Sequence, residues 1–267
     1  MQITSTIDLL NKVPPLISYF KYWLEKEDKY SLQSPFLFTT YQNLFSFIKN
    51  RKEIDLEIEV FREQLLLSKE VIEVQDFGAG SKSVNTAKRK VSDITKYSTS
   101  NRKFAQLYQF FCTLTPAETV LELGTCTGIS SRYLSTVTQG QLYSFEGCEE
   151  IARIAQPAKD FKNLSIITGE LCKTLPTYLK NVKKVDFALI DATHTYEGTL
   201  NYFNQILEKT HSKSIIAIGD IHWSKGMEKA WQEIRNKPEV KLSLDFYECG
   251  ILFFDFSGEK ADYILDF

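Results

Sequence analysis

The chain has 267 residues, 43% hydrophobic and 25% charged, with 32 Lys and Arg against 34 Asp and Glu for a formal charge of −2. That length suits one large α/β domain with an appendage, and the near-neutral balance supplies no global drive toward nucleic acid or an anionic membrane. Five cysteines (Cys112, Cys126, Cys148, Cys172, Cys249) stand singly with no Cys-x-x-Cys pair, against a disulfide framework or a zinc site. Free thiols in a reducing compartment follow, and a cytoplasmic location is expected. No apolar run approaches the ~18 residues of a membrane span, and Met1 to Lys12, which includes Asp8, lacks the apolar core of a secretory leader.

Residues 1–99 read as an N-terminal, mainly helical extension or cap. After Pro14-Pro15, Leu16, Tyr19, Phe20, Trp23 and Leu24 recur at helical spacing. Ser34-Pro35 has the form of an N-cap followed by proline at the first helical position, with Phe36, Phe38, Tyr41, Leu44, Phe45 and Ile48 continuing. A third helix is predicted from Lys52 to Leu67. The aromatic residues read as packing between helices; the alternative is a lid in which Tyr30, Phe36 or Tyr41 lines a substrate pocket. A β-like run, Val71 to Val74, leads into a glycine cluster, Asp76-Phe77-Gly78-Ala79-Gly80. The polar, basic residues Ser81 to Ser98 supply no second strand ending in a ribose-binding acid, so the cluster reads as a structural turn. A phosphate-contacting loop with Lys82 and Arg89 is the alternative.

From Asn101 the pattern becomes regular. A helix, Arg102 to Leu114, precedes strand-like runs at Val120–Leu123, Gln141–Glu146, Leu164–Thr168, Val185–Ile190 and Ser214–Ile218. Helical segments at Ile129–Val137, Glu149–Phe161, Glu170–Leu179 and Tyr196–Lys209 separate them, which predicts a parallel sheet covered on both faces. After a sixth helix, Met227 to Arg235, come Val240–Phe246 and Ile251–Phe256, joined by a link short enough only for an antiparallel hairpin. Thr119 to Gly128 is the centre of this half: a buried strand, then a Gly-x-x-x-Gly turn into a helix, which brings backbone N–H groups close to a ligand.

The Glu-Leu-Gly-Thr-x-Thr-Gly-x-Ser loop, the acid ending the second strand and the terminal hairpin together resemble the class I S-adenosylmethionine-dependent methyltransferases, nearest to the catechol/caffeoyl-CoA type of O-methyltransferase. The resemblance covers about residues 100 to 256. It implies an α/β, Rossmann-like sheet of seven strands, six parallel and one antiparallel, with residues 100–267 forming the S-adenosylmethionine-binding methyltransferase domain. It also implies cofactor contacts at Glu122, Gly124, Thr125 and Ser130, with Gly128 enabling the turn and Glu122 receiving the ammonium group. Glu146, followed by Gly147, is placed to take both ribose hydroxyls, and Glu170 borders the adenine. In Asp191-Ala192-Thr193-His194, Asp191 takes the place of the first Asp of the family's Asp-Ala-Asp-Lys segment, and His194 that of its Lys.

Methyl transfer to a hydroxyl requires collinear donor and acceptor and removal of a proton. Asp191 and His194 follow the fourth strand, Asp220 and His222 the fifth, so all four are expected at the carboxyl edge of the sheet. Relatives in the family hold a divalent cation there with two Asp and an Asn. Here Asp191 and Asp220 are oxygen donors suited to Mg²⁺, but Ile221 stands in the Asn position, and completion by His222 or His194 would favour a softer metal. Imidazole ordinarily titrates near neutral pH, so His194 is the candidate general base, with Asp191 and His222 beside it in the reaction-side group. Hydrogen-bonded strand-end residues are the plainer alternative for either histidine. His211, in a polar loop, reads as solvent-facing, and Trp223 and Met227 as helix packing.

The expected partner is a small-molecule acceptor, with neither membrane nor nucleic acid; a homodimer is left open. The expected activity is O-methylation. A non-catalytic module that senses the cofactor or docks a partner is the rival, ahead of an aminopropyltransferase, for which no acidic polyamine cluster is present. A nucleic-acid methyltransferase lacks an Asn-Pro-Pro-Tyr-like motif after the fourth strand.

Overall fold

The computed structural model describes residues 18–75, 87–156 and 161–267. The Asp76–Gly80 cluster and Lys82 lie outside them. Helix α1 covers residues 18–25, followed by α2 (Pro35–Asn50) and α3 (Leu56–Leu66). A two-stranded antiparallel ribbon of β1 (Val71–Glu73) and β2 (Lys88–Lys90) then runs directly into α4 (Val91–Ser98). Helix α5 (Arg102–Thr113) leads into the alternating half: β3 (Thr119–Leu123), α6 (Ile129–Ser135), β4 (Gln141–Glu146), α7 (Glu149–Ala155), β5 (Leu164–Thr168) and α8 (Leu171–Leu179). It continues with β6 (Phe187–Ile190), α9 (Tyr196–Leu207), β7 (Ile215–Gly219), α10 (Lys225–Arg235), β8 (Leu242–Asp245), β9 (Cys249–Phe253) and β10 (Ala261–Ile264).

The main sheet has the order β10-β8-β9-β7-β6-β3-β4-β5, and only β9 runs against the rest. The expectation of seven strands is one short. Strand β10 pairs parallel with β8 at the sheet edge, and its residues Ala261-Asp262-Tyr263-Ile264 are only half-buried, so no apolar run announces it. Alternation along the strands sends Val120, Phe187 and Ile215 to one face and Leu121, Ala188 and Ile216 to the other. The first face is closed by Phe110 and Phe111 of α5, the second by Phe203 of α9 and Trp231 of α10.

The N-terminal helices share the first of these cores. Leu37, Tyr41 and Leu44 of α2 pack with Phe104, Leu107 and Phe111. Ser34 caps α2 by accepting from the Leu37 N–H, as predicted. The turn before α3 buries Asp55, which pairs with Arg51 at 3.0 Å and accepts from Gln106 at 2.9 Å. Residues 264–266 are tied to the same helices. Tyr22 Oη donates to the Leu265 carbonyl at 2.6 Å, Tyr41 Oη to that of Asp266 at 2.5 Å, and Lys26 pairs with the Asp266 carboxylate at 2.8 Å.

Helix α1 is oriented opposite to the packing reading of its aromatics. Phe20, Trp23 and Leu24 are 59%, 52% and 61% exposed, while the helix buries Tyr22. Among the described residues no helix is long and apolar enough to cross a membrane.

Candidate functional site

The carboxyl ends of β3, β4, β6 and β7 open into a cleft of about 580 Å³. Its floor is the turn after β3. Gly124, at φ 100°, sits so close to the Asp191 carbonyl that a Cβ would overlap it, and a Cβ on Gly219 would overlap the Asp191 carboxylate. Glycine at both positions is therefore what admits Asp191 to the cleft.

Gly124, Ser130, Glu146, Gly147 and Asp191 line this cleft; Glu122, Thr125, Gly128 and Glu170 do not. The Glu146 carboxylate accepts from the N–H of Cys126 at 2.9 Å and of Cys148 at 3.0 Å, which fixes it at the end of β4. Glu122 is fully buried beneath the loop, where one oxygen accepts from the hydroxyls of Ser131 and Ser144 and the other has no partner among the described residues. Burial pushes its carboxyl up to about 7, against the pull of Ser130, Ser131 and Ser144. Thr125, also buried, shares a hydrogen bond with Ser144. Gly128 caps α6 at φ 78°. Glu170 precedes α8 and pairs with Lys173 at 2.7 Å, which holds its carboxyl below the usual range.

On the reaction side, ligand-type atoms of Asp191, His194 and Asp220 all lie within 4.8 Å of one another. His194 Nδ1 stands 3.6 Å from an Asp220 oxygen and is buried without a hydrogen-bond partner among the described residues. Thr193, His194 and Asp220 all have positive φ, at 62°, 46° and 56°, and such backbone is held only where its surroundings demand it. Burial raises the Asp191 carboxyl to about 6; His194 pulls it down and Asp220 pushes it further up.

His222 is not part of this group. The left-handed conformation at Asp220 breaks the extended backbone that would have put residues 220 and 222 on one face. The His222 ring lies instead against Asp245 at 2.9 Å and Glu228 at 3.5 Å, stacked on Tyr247 in a neighbouring groove. Burial opposes its charged form, yet Asp245 and Glu228 outweigh that and hold its pKa above the usual value.

His211 is not simply solvent-facing: Nε2 sits 2.8 Å from buried Asp186. Met227 is buried in the core, as read. Trp223, by contrast, is on the cleft wall with its ring 5.9 Å from that of His194. The lid candidates Tyr30, Phe36 and Tyr41 are off the wall.

The first hundred residues reach the cleft through β2 and α4 instead, with Arg89, Ile94 and Tyr97. The spacing of Val91, Ile94 and Thr95, the buried stripe of α4, was the available signal for that helix. Tyr108 and Glu248 also line the wall and are absent from the sequence reading. Glu248 follows from topology, because the link into an antiparallel β9 must lie at the carboxyl edge of β7. Its carbonyl accepts from the Asp220 N–H at 2.6 Å.

Residues 121–221 match a family model described as a methyltransferase domain. No curated protein matches the chain. Among solved structures, the chain is similar to a putative caffeoyl-CoA O-methyltransferase from Staphylococcus aureus (13% identity, TM-score 0.57, 80% of this chain and 100% of that one). It is also similar to the O-methyltransferase TomG from Streptomyces achromogenes, solved with S-adenosylmethionine (15% identity, TM-score 0.50, 60% and 83%). At these identities the likeness is one of fold. The matched stretch, from β3 to just past β7, is similar in sequence to a methyltransferase domain, and the chain shares the fold of these methyltransferases.

Proposed function

We propose that the protein transfers the methyl group of S-adenosylmethionine to a hydroxyl of a small-molecule acceptor. The observation that carries this reading is the Glu146 carboxylate, held by two backbone N–H groups on the wall of the cleft that also contains Asp191 and His194. A fixed carboxylate there suits two ribose hydroxyls, and Gly124 leaves room for the methionine moiety to approach the backbone.

In the reaction the acceptor oxygen forms a bond to the methyl carbon as the carbon–sulfur bond breaks. The electron pair stays on sulfur, giving S-adenosylhomocysteine, and the hydroxyl proton passes to the His194 imidazole. Asp191 and Asp220 stabilise the imidazolium that results. Tyr97 and Trp223 on the wall shield the reacting atoms from water.

Asp191, His194 and Asp220 also fit a divalent cation, since the orphaned His194 Nδ1 and the two carboxylates converge, while Ile221 is buried and offers no donor. Such an ion would polarise the acceptor oxygen. One nitrogen with two carboxylates favours Mn²⁺ or Zn²⁺ over Mg²⁺. A cytoplasmic location accords with five free cysteines.

The test is calorimetric titration with S-adenosylhomocysteine. Glu146→Gln is expected to weaken binding at least about tenfold, the loss of one charge-assisted hydrogen bond. Unchanged affinity would overturn the assignment.

A further inference from the structure

Helices α1 and α10 face each other across a groove of about 740 Å³, the size of a small-molecule site. A stripe spaced i, i+3, i+4, i+7 that faces a neighbouring helix is ordinarily apolar. On α1 that stripe is Ser18, Lys21, Tyr22 and Glu25, of which only Tyr22 is buried, while Phe20, Trp23 and Leu24 are exposed on the far side. Across the groove α10 presents Lys225, Glu228, Lys229, Gln232 and Arg235. The two helices therefore place charged residues on both sides of the groove.

The charges in this space are unevenly matched. Glu228 is engaged by Ser18 at 2.6 Å and by His222, and Asp245 by His222 and by Trp231 at 3.1 Å. That leaves Glu25 as the one acid without an ion pair among the described lining residues. Against it stand Lys21, Lys225 and Arg235, none with a side-chain partner among the described residues, and Lys229, whose ammonium meets the Tyr196 ring at 4.3 Å. The Arg235 Nε is shielded from solvent and has no acceptor. Four cations from two facing helices thus line the groove against one carboxylate, Glu25, that no ion pair among the described residues engages.

We propose that this groove is a second binding site, for a small molecule carrying a multiply charged phosphate group, held by Lys21, Lys225, Lys229 and Arg235. Three ammonium groups and one guanidinium suit phosphate oxygens approached from several directions. Trp223 lines both this groove and the methyl-transfer cleft, so the two spaces share one wall.

The test is titration of the full chain with inorganic pyrophosphate at low ionic strength, followed by calorimetry. Saturable binding is expected, and Lys225→Ala with Lys229→Ala should weaken it at least about tenfold, the loss of two charge-assisted contacts. The same double variant should keep its affinity for S-adenosylhomocysteine within about twofold, which reports that it is folded. A control, Lys162→Ala with Lys180→Ala, removes the same charge from outside either space and should leave pyrophosphate binding unchanged. No saturable binding, equal weakening by both double variants, or equally tight citrate binding through the same lysines would each overturn the proposal. Because binding is read directly, its failure is separate from failure of the methyl-transfer reading.

Discussion

Of the three histidine–aspartate pairs among the described residues, those of His211 and His194 lie at opposite edges of one sheet and differ in how fully their polar atoms are satisfied. At the amino edge, His211 Nε2 meets Asp186 at 2.8 Å. The other oxygen of that buried carboxylate accepts from the N–H groups of Glu118 and Thr119, each at 2.9 Å. The ring's Nδ1 accepts from the Lys213 N–H, so every polar atom of the pair has work within the fold. At the carboxyl edge, His194 faces Asp220 at 3.6 Å, from left-handed backbone on both sides, with Nδ1 unsatisfied. The same two residue types make a fastener in one place and an open valence in the other. Satisfied hydrogen bonds mark structure; unsatisfied ones in a cleft mark chemistry.

Breaking the pairs one at a time tests that contrast. His194→Ala is expected to lower turnover by about 10²–10⁴-fold, the usual range for a general base, with S-adenosylhomocysteine affinity nearly unchanged in calorimetry. A turnover within threefold of the parent would remove His194 from the reaction. Asp186→Ala, at the other edge, should cost about 3 kcal/mol by stranding two N–H groups and the His211 ring, or roughly 6–10 °C in Tm. Asp191→Asn should move Tm the other way, up by about 1–3 °C, because it removes a buried carboxylate pressed against Asp220. Thermal denaturation of the two variants side by side gives the sign of each.

The smallest effect concerns Glu122. Burial raises its folded-state pKa to about 7 from the ordinary 4.5. Its protonated form therefore favours the fold, fully below about pH 4.5, and that contribution is lost as pH rises through about 7. Glu122→Gln should flatten the pH dependence of Tm across that window. A parent-like slope in the variant would place the titration elsewhere.

Much of the alternating half was legible because parallel strands buried on both faces are continuous apolar runs, as in Val120–Leu123 and Ile215–Ile218. The half-buried edge strand β10 and the short helix α4 were not, since neither presents such a run. Site residues were legible where a turn announced them, as at Gly124, and illegible where conformation decided. Nothing in the letters Asp220-Ile221-His222 says that Asp220 adopts φ 56° and sends His222 into another groove. Likewise, helical spacing placed Phe20, Trp23 and Leu24 on one side of α1 but could not say which side faced the protein.

The contacts that tie Tyr22, Lys26 and Tyr41 to residues 264–266 span 225 to 243 positions of sequence. A ribosome makes the two partners far apart in time. At about 5–20 residues per second, the N-terminal helices wait some ten seconds or more for that side of their packing. During that interval the outer edge of the sheet has yet to be made, and the early helices are held only by what α5 and the first strands already offer. Helices α1 and α2 are thus synthesised well before residues 264–266 and are fully secured only once those residues have been added.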